Sequence, residues 1–114
     1  MNDALRESAR AALEAERDRL RAELAEEIES PGQMTYGSQA AAATHVFEQQ
    51  RDLALRDRAQ QHLGQVMGAL ERIDAGRFGT CLRCGQPIAD ARLEALPWAA
   101  YCITCQQIVD REGG

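Results

Sequence analysis

Four cysteines near the C-terminal end are the residues whose types and spacing could do chemistry in this sequence. They form two matching pairs, Cys81-Leu-Arg-Cys84 and Cys102-Ile-Thr-Cys105. Each CxxC pair can direct two thiolates at one tetrahedral ion, so the two pairs together complete a four-coordinate shell. Because cysteine occupies every ligand position, none remains for water or substrate. The pattern therefore predicts one structural Zn²⁺ per chain and no catalytic metal.

Two other kinds of site share this spacing. A redox-active CxxC pair is expected on a βαβ scaffold, which this sequence does not indicate. A finger that reads DNA is expected to be basic, whereas the segment from Cys81 to Cys105 carries two arginines and two acidic residues. We therefore predict a zinc-stabilised lobe without enzymatic activity and without sequence-specific DNA binding. His45 and His62 are distant from the cysteines in sequence and are interpreted as polar residues of a helix surface.

The elements that must position these cysteines are predicted to be long helices. Only 4% of the 114 residues are aromatic, and the chain is rich in Ala, Glu, Arg, Gln and Leu, which favours extended helices over a thick globular core. The net charge of −5 argues against a protein held mainly by nucleic-acid phosphates. The segment 1–21 is charged throughout and no apolar run approaches a membrane span, so we expect a cytoplasmic protein without membrane contact.

A first helix is predicted from Asp3 to about Glu29. This segment contains no Gly or Pro, and Ser30-Pro31-Gly32 ends it because proline disfavours helical geometry in the preceding residue. Its apolar residues recur mostly at four- and seven-residue steps, as expected for one buried helix face. They are Leu5, Ala9, Leu13, Leu20, Leu24 and Ile28.

A second helix is predicted from about Val46 to Asp74, with Thr44 as its N-cap. The preceding segment 31–45 contains no charged residue and is predicted to be the turn. Steps of four, three, four and three residues along the second helix are typical of a coiled-coil seam. The residues of this stripe are Ala59, Leu63, Val66, Leu70 and Ile73. Gly64 and Gly68 interrupt the helix and are interpreted as positions of close packing.

Two helices of similar length with a short link favour an antiparallel hairpin that buries both stripes within one chain. The predicted fold class is mainly α, with a long antiparallel helical hairpin (coiled coil) at residues 1–76 and its tip at about 31–45. A zinc-finger domain is predicted at 77–114 and ends in a short helix at 106–112. We expect a monomer, and a parallel dimeric coiled coil is the alternative. Apolar residues between the cysteine pairs are predicted to form the small core of the finger. They are Pro87, Ile88, Leu93, Leu96, Pro97, Trp98 and Tyr101.

Several segments together resemble one protein family. They are Leu53-Ala-Leu-Arg-Asp-Arg58, Arg77-Phe-Gly-Thr-Cys81-Leu-Arg-Cys84-Gly85-Gln-Pro-Ile88, Ala91-Arg-Leu-Glu-Ala-Leu-Pro97 and Cys102-Ile-Thr-Cys105-Gln106. The chain is similar in these segments to the DksA/TraR zinc-finger proteins. The resemblance implies a bacterial transcription regulator that binds RNA polymerase directly and inserts its hairpin into the secondary channel. It also implies that the finger and the terminal helix contact the polymerase rim.

The chain departs from this family at the hairpin tip. The resemblance implies two aspartates followed by an alanine, and the matching segment 38–43 reads SQAAAA, so that Ser38 and Ala41 replace the acids and Ala43 matches. A hydroxyl and a methyl group cannot act on an active-site Mg²⁺ as two carboxylates can. Met34 and Tyr36 are the other candidates for partner contact at the tip.

A second departure concerns guanosine tetraphosphate, which some members of the family help to bind. The resemblance implies basic residues where this chain has Leu96 and Gln106. An uncharged pair is a poor site for pyrophosphate groups, so we expect weak or no synergy with this alarmone. The alternatives to a polymerase-binding regulator are a zinc-finger adaptor for another protein and, with less support, a DNA-binding finger.

Overall fold

The computed structural model describes residues 3–26 and 39–113 and is mainly helical. Four helices lie within these ranges: α1 (Asp3–Ala25), α2 (Gln39–Asp74), α3 (Asp90–Ala95) and α4 (Ile103–Gly113). The β pairing within the described ranges is an isolated antiparallel bridge between Thr80 and Pro87. The mainly α fold class, with a helical hairpin followed by a four-cysteine lobe, is therefore confirmed.

Helices α1 and α2 pack against each other in antiparallel orientation. Near the start of α1, Arg10 Nη1 lies 3.0 Å from Asp74 Oδ1 at the end of α2. At the other end of α1, Arg56 Nη1 donates to the carbonyl of Glu26 over 3.1 Å. These exposed ion pairs and hydrogen bonds contribute little stability, but they fix the register of the two helices.

The seam between α1 and α2 is the buried stripe that the sequence predicts. Its fully or nearly fully buried residues are Leu5, Ala9, Leu13 and Leu20 from α1, and Ala59, Val66, Ala69, Leu70 and Ile73 from α2. Leu24 and Leu63 are partly buried and pack against the same cluster. The predicted stripes are thus confirmed, apart from Ile28, which lies outside the described residues. Spacings near 3.6 residues per turn bring each stripe onto one helix face, where it meets the other.

The predicted start of the second helix is wrong. α2 begins at Gln39 rather than at Val46, so Thr44 lies inside the helix and is not its N-cap. The cause is the alanine run 40–43, because alanine has the highest helix propensity and outweighs the lack of charged residues in this segment. Residues 39–45 of the predicted turn are therefore helical, and residues 31–38 lie outside the described ranges.

Helix α2 ends at a glycine whose conformation stops the helix. Gly76 has φ +74°, a left-handed value that residues with a Cβ rarely adopt. Gly76 N–H donates to the carbonyl of Ile73 over 3.1 Å, and Arg77 N–H donates to that of Arg72 over 2.8 Å. This pair of hydrogen bonds is a Schellman motif with Gly76 at C′. The motif redirects the chain into the cysteine-bearing lobe.

The C-terminal lobe packs against the base of the hairpin, where α1 begins and α2 ends. Phe78, Ile88 and Leu93 belong to the same buried cluster as the α1–α2 seam. Leu93 and Pro97 face Leu5 and Ala9 of α1 around a small cavity of about 80 Å³. The cluster therefore continues from the hairpin into the lobe, and a division of the chain into two domains near residue 76 stays a prediction.

The predicted core of the lobe is confirmed except at one residue. Ile88, Leu93 and Pro97 are buried, while Leu96, Trp98 and Tyr101 are half-buried. Pro87 is exposed. The chain is extended at the Thr80–Pro87 bridge, so successive side chains point to opposite sides, and Ile88 takes the inward position.

Within the described residues, no helix is long and apolar enough to cross a membrane.

We predict that the seam supplies most of the hairpin's stability. Leu13 is 0% exposed, so Leu13→Ala should lower the free energy of unfolding by about 3 kcal/mol, in the range for buried leucines. Leu53→Ala removes the same atoms from a side chain that is 52% exposed, and should cost less than about 1 kcal/mol. Urea unfolding followed by circular dichroism compares the two variants. Equal losses would contradict the proposed seam.

Glycine-to-alanine changes should have opposite effects at two positions of α2 and its cap. A Cβ at Gly64 would meet no atom within 4 Å, so close packing does not explain this residue, and Gly64→Ala should stabilise the protein by up to about 1 kcal/mol. Gly76→Ala places a Cβ on a left-handed backbone and should destabilise by about 1–2 kcal/mol. The same unfolding measurement tests both signs, and stabilisation by Gly76→Ala would argue against the Schellman cap.

Candidate metal centre

The four cysteines converge on one point, although seventeen residues separate the two pairs. Their sulfur atoms all lie within 4.8 Å of one another. Cys84 Sγ and Cys102 Sγ, which come from different pairs, are 3.9 Å apart. A tetrahedral Zn²⁺ with Zn–S bonds of about 2.3 Å has S···S separations of about 3.8 Å. The sulfur atoms are therefore already close to the spacing that the ion requires.

The first pair lies in a tight loop, the first cysteine loop, at residues 79–88. Cys81 N–H donates to the carbonyl of Gln86 over 2.8 Å, and Gly85 N–H donates to the carbonyl of Cys81 over 3.0 Å. Gly85 has φ +76°, which lets the chain reverse directly after the second cysteine. Ile88 N–H closes the loop on the carbonyl of Gly79 over 2.8 Å. These bonds hold the two thiols on one side of the turn.

The second pair lies in the second cysteine loop, residues 100–106, where the chain enters α4. Cys102 immediately precedes α4 and Cys105 lies in its first turn, with Gln106 N–H donating to the carbonyl of Cys102 over 2.8 Å. The predicted start of the terminal helix at Gln106 is therefore wrong by three residues, because the turn between the cysteines is itself the first turn of the helix. Leu82 N–H donates to the carbonyl of Ala100 over 2.9 Å and joins the two loops.

Burial and hydrogen bonds shift the pKa values of two of the thiols in opposite directions. Burial opposes ionisation of Cys81, but backbone N–H groups, first that of Cys84 and then that of Cys102, outweigh it and lower its pKa to about 6. Burial, and then the thiol of Cys102, raise the pKa of Cys105 to about 12. A metal ion that binds here at neutral pH must therefore displace protons.

The residues present fit a zinc ion. All four donors are thiols, and Cys81 and Cys105 are 2% and 3% exposed. A closed shell of four thiolates at tetrahedral spacing is the arrangement of structural zinc sites, in contrast to catalytic sites, which keep one position for water. The ion would add its binding energy to the folding of a lobe that otherwise has little apolar core.

Aromatic residues connect the cysteine lobe to the hairpin. Trp98 meets His62 of α2 edge to face, with ring centroids 4.5 Å apart and an interplanar angle of 87°. His62 Nε2 lies 3.6 Å from Glu16 of α1, and its Nδ1 lies 3.1 Å from Gln65 Oε1. His62 is thus a junction residue between three elements, and its interpretation as a mere surface residue was incomplete.

Two arginines donate to backbone carbonyls of the segment 98–101 in the lobe. Arg72 Nη2 of α2 donates to the carbonyl of Trp98 over 3.5 Å. Within the lobe, Arg92 Nε donates to the carbonyl of Tyr101 over 3.1 Å and braces the segment that carries the second cysteine loop. Burial, and then the nearby Arg77, lower the pKa of Arg72 from its ordinary value. The backbone between Trp98 and Tyr101 is therefore fixed from two sides.

Leu96 and Gln106, the uncharged residues at the positions where the resemblance implies basic residues for alarmone binding, line the same groove. Leu96 and Gln106 both line a groove of about 300 Å³ between α2 and the lobe, which Trp98 and Tyr101 also line. The sequence prediction concerned their charge, and the structure adds that they are close in space.

Two of the predicted tip residues lie in the described part of the chain. Met34, Tyr36 and Ser38 lie outside the described residues. Ala41 and Ala43 belong to the first turns of α2, and the side chain of Ala43 is exposed. Ala41 and Ala43 are at the end of α2 opposite to the lobe and are therefore separate from the cysteines.

Sequence reasoning missed contacts that depend on where side chains point. Phe78 and Ala99 are buried in the lobe without having been predicted there. Arg83, which lies inside the first CxxC pair, extends its Nη1 to within 3.8 Å of Cys105 Sγ. Its position between two predicted ligands was the available signal, but spacing alone does not give the direction of its side chain.

The fold and the four-thiol centre together define a helical hairpin with a C4-type zinc finger at its base. Residues 76–111 match the family description "Prokaryotic dksA/traR C4-type zinc finger". This part of the chain, from the end of α2 into α4, is therefore a zinc finger of the DksA/TraR type. The centre is accordingly the site of a structural zinc ion.

Two relatives, both from bacteria, agree with this assignment. An uncharacterised protein of Aquifex aeolicus is 46% identical over 52 residues, which cover 46% of this chain and 36% of that protein. The RNA polymerase-binding transcription factor DksA of Haemophilus influenzae is 35% identical over 71 residues, covering 62% of this chain and 49% of the relative. The chain thus matches at most about half the length of these relatives.

A solved structure is similar over nearly the whole chain. The structure of transcription factor DksA2 from Pseudomonas aeruginosa has a TM-score of 0.81 and 26% sequence identity, and it covers 99% of this chain and 88% of its own. The similarity therefore includes the hairpin, which the family match at residues 76–111 does not cover.

We predict one zinc ion per chain in protein purified under reducing conditions, and a strong loss of zinc affinity in Cys84→Ser because serine is a poor replacement for a thiolate ligand. Affinity should also fall as the pH is lowered from about 8 to about 6, because protons compete with the metal for the thiols. Metal analysis and competition with a chelator measure both effects. A zinc content near zero in the parent, or normal affinity in Cys84→Ser, would contradict the assignment.

Proposed function

We propose that this chain is a bacterial transcription regulator that binds RNA polymerase directly through the secondary channel. The observation that carries the proposal is the similarity to DksA2 across hairpin and finger together, over 99% of this chain. The Haemophilus relative is an RNA polymerase-binding transcription factor, which supports the same partner. A cytoplasmic location follows from this choice of partner.

The shape of the molecule suits insertion of an arm into a narrow channel. The molecule measures 61 × 30 × 20 Å along its principal axes. Helix α2 has 36 residues and is therefore about 54 Å long, whereas the 23 residues of α1 span about 35 Å. The N-terminal part of α2 consequently extends beyond α1, away from the finger.

Exposed apolar side chains on this extended part of α2 support its role in binding. Phe47 is 70% exposed, and Val46 and Leu53 are 45% and 52% exposed. Large apolar groups that the described residues leave uncovered are common where another protein docks. We assign this part of α2 to the channel, and the finger with α4 to the polymerase rim.

We further propose that Cys81, Cys84, Cys102 and Cys105 are the zinc ligands, and that the protein acts by occupying the channel rather than by catalysing a reaction. A closed four-thiolate site offers no position at which a substrate could bind the metal. The hairpin forms within one chain and needs no second chain to bury its seam, which supports a monomer.

The tip is proposed to reach the neighbourhood of the polymerase's catalytic Mg²⁺ without carboxylates of its own. Met34, Tyr36, Ser38, Ala41 and Ala43 are the proposed contact residues there. Since hydroxyl and methyl groups do not compete for Mg²⁺ as carboxylates do, binding and tip activity should be separable. With Leu96 and Gln106 uncharged, we also expect weak or no synergy with guanosine tetraphosphate.

The partner proposal predicts that the zinc-loaded protein captures purified RNA polymerase. A Gre-type factor, which inserts its own hairpin into the secondary channel, should compete for that binding. DNA binding at low and high salt is measured alongside. An adaptor for another protein would capture neither partner, whereas a DNA-binding finger would bind DNA with steep salt dependence and leave the polymerase unbound. Either of those outcomes would overturn the proposal.

The tip proposal predicts a gain of activity when the acids are installed. At matched polymerase occupancy, Ser38→Asp with Ala41→Asp should shorten the lifetime of promoter complexes more than the parent does. Ala15→Asp with Gln60→Asp is the control, since it adds the same charge at exposed positions of α1 and α2 away from the tip. If the parent already shortens the lifetime of promoter complexes fully and the tip variant shortens it no further, the missing carboxylates are irrelevant.

A further inference from the structure

Arg83 is a charged side chain that contacts the zinc site. It lies in the first cysteine loop, between Cys81 and Cys84, and its Nη1 lies 3.8 Å from the sulfur of Cys105 in the second cysteine loop. That distance is within reach of an N–H···S hydrogen bond. The side chain thus connects the two loops from the solvent side, where Arg83 itself is exposed.

The negative charge of a zinc site with four thiolates favours a hydrogen bond from a cation to one of its sulfur atoms. A divalent ion with four thiolates has a net charge of about −2, so electron density accumulates on the sulfur atoms. Hydrogen bonds to ligating sulfur withdraw part of this density and tune how strongly the metal is held. Several backbone N–H groups donate to the sulfur of Cys81, whereas Arg83 brings a side-chain cation to the sulfur of Cys105.

The chemistry of the pair agrees with this contact. An arginine side chain keeps its positive charge at any pH at which the protein folds, and it has only donors to offer. A hydrogen bond from a cation to an anionic sulfur is stronger than one between neutral groups. Arg83 Nη1, at 3.8 Å, is placed to make such a bond with Cys105.

We propose that Arg83 is a positioning and charge-balancing residue of the zinc site, which donates to the Cys105 sulfur and thereby slows the loss of the metal. The inference rests on the proposed ligand assignment and goes beyond it, because the ligands alone do not require an arginine here. A residue that acts only as a mechanical link between the loops would be replaceable by any side chain that preserves the fold.

Three variants test the proposal in the zinc-loaded protein. Arg83→Gln removes the cation, Arg83→Lys retains it, and Arg111→Gln removes an exposed cation from the last turn of α4. We expect transfer of zinc to a chromogenic chelator to be about tenfold faster in Arg83→Gln, as for other outer-shell partners of metal ligands. Arg83→Lys should stay closer to the parent, and Arg111→Gln should match the parent.

Cobalt substitution supplies a readout that a purely mechanical role would not move. In Co²⁺-loaded protein, removal of an N–H···S bond should shift the sulfur-to-cobalt charge-transfer band to lower energy in Arg83→Gln and not in Arg111→Gln. Parental release rates and an unshifted band in Arg83→Gln would overturn the proposal, as would equal acceleration in Arg111→Gln. Failure of the ligand assignment is distinguishable, because it would appear as normal zinc affinity in Cys84→Ser.

Discussion

The convergence of four sulfur atoms on one ion is the interaction on which the C-terminal third of the molecule depends. Between the end of α2 and the start of α4, the regular structure consists of the six-residue α3 and the Thr80–Pro87 bridge. Such a segment buries too little apolar surface to fold alone, and metal binding supplies the missing free energy. The backbone hydrogen bonds of both cysteine loops then hold the thiols at the spacing that the ion requires.

Once closed, the finger gives the hairpin a rigid base. Leu93 and Pro97 face α1, while Trp98 contacts His62 and accepts a hydrogen bond from Arg72 on α2. These contacts lie where α1 begins and α2 ends, so the opposite end of α2 projects away from the metal. A zinc ion far from the tip thereby sets the direction in which the proposed channel-binding arm points.

The sequence predicted the features that periodicity and ligand spacing encode. Steps of three and four residues located the seam from Ala59 to Ile73, and the paired CxxC spacing located the metal site. The start of α2 was missed because an uncharged segment was interpreted as a turn, although its alanines favour a helix. The contacts of His62 and Arg83 could not be predicted, because they depend on how separate elements pack and on where flexible side chains point.

Hydrogen exchange of the parent protein, with zinc and after chelation in reducing buffer, tests the central claim most directly. If zinc holds the finger and the α1–α2 seam holds the hairpin, chelation should abolish protection in residues 77–113. Protection around Leu13 and Val66 should largely persist. Equal loss of protection in the seam and in the finger, or an unchanged finger after complete zinc removal, would contradict the account.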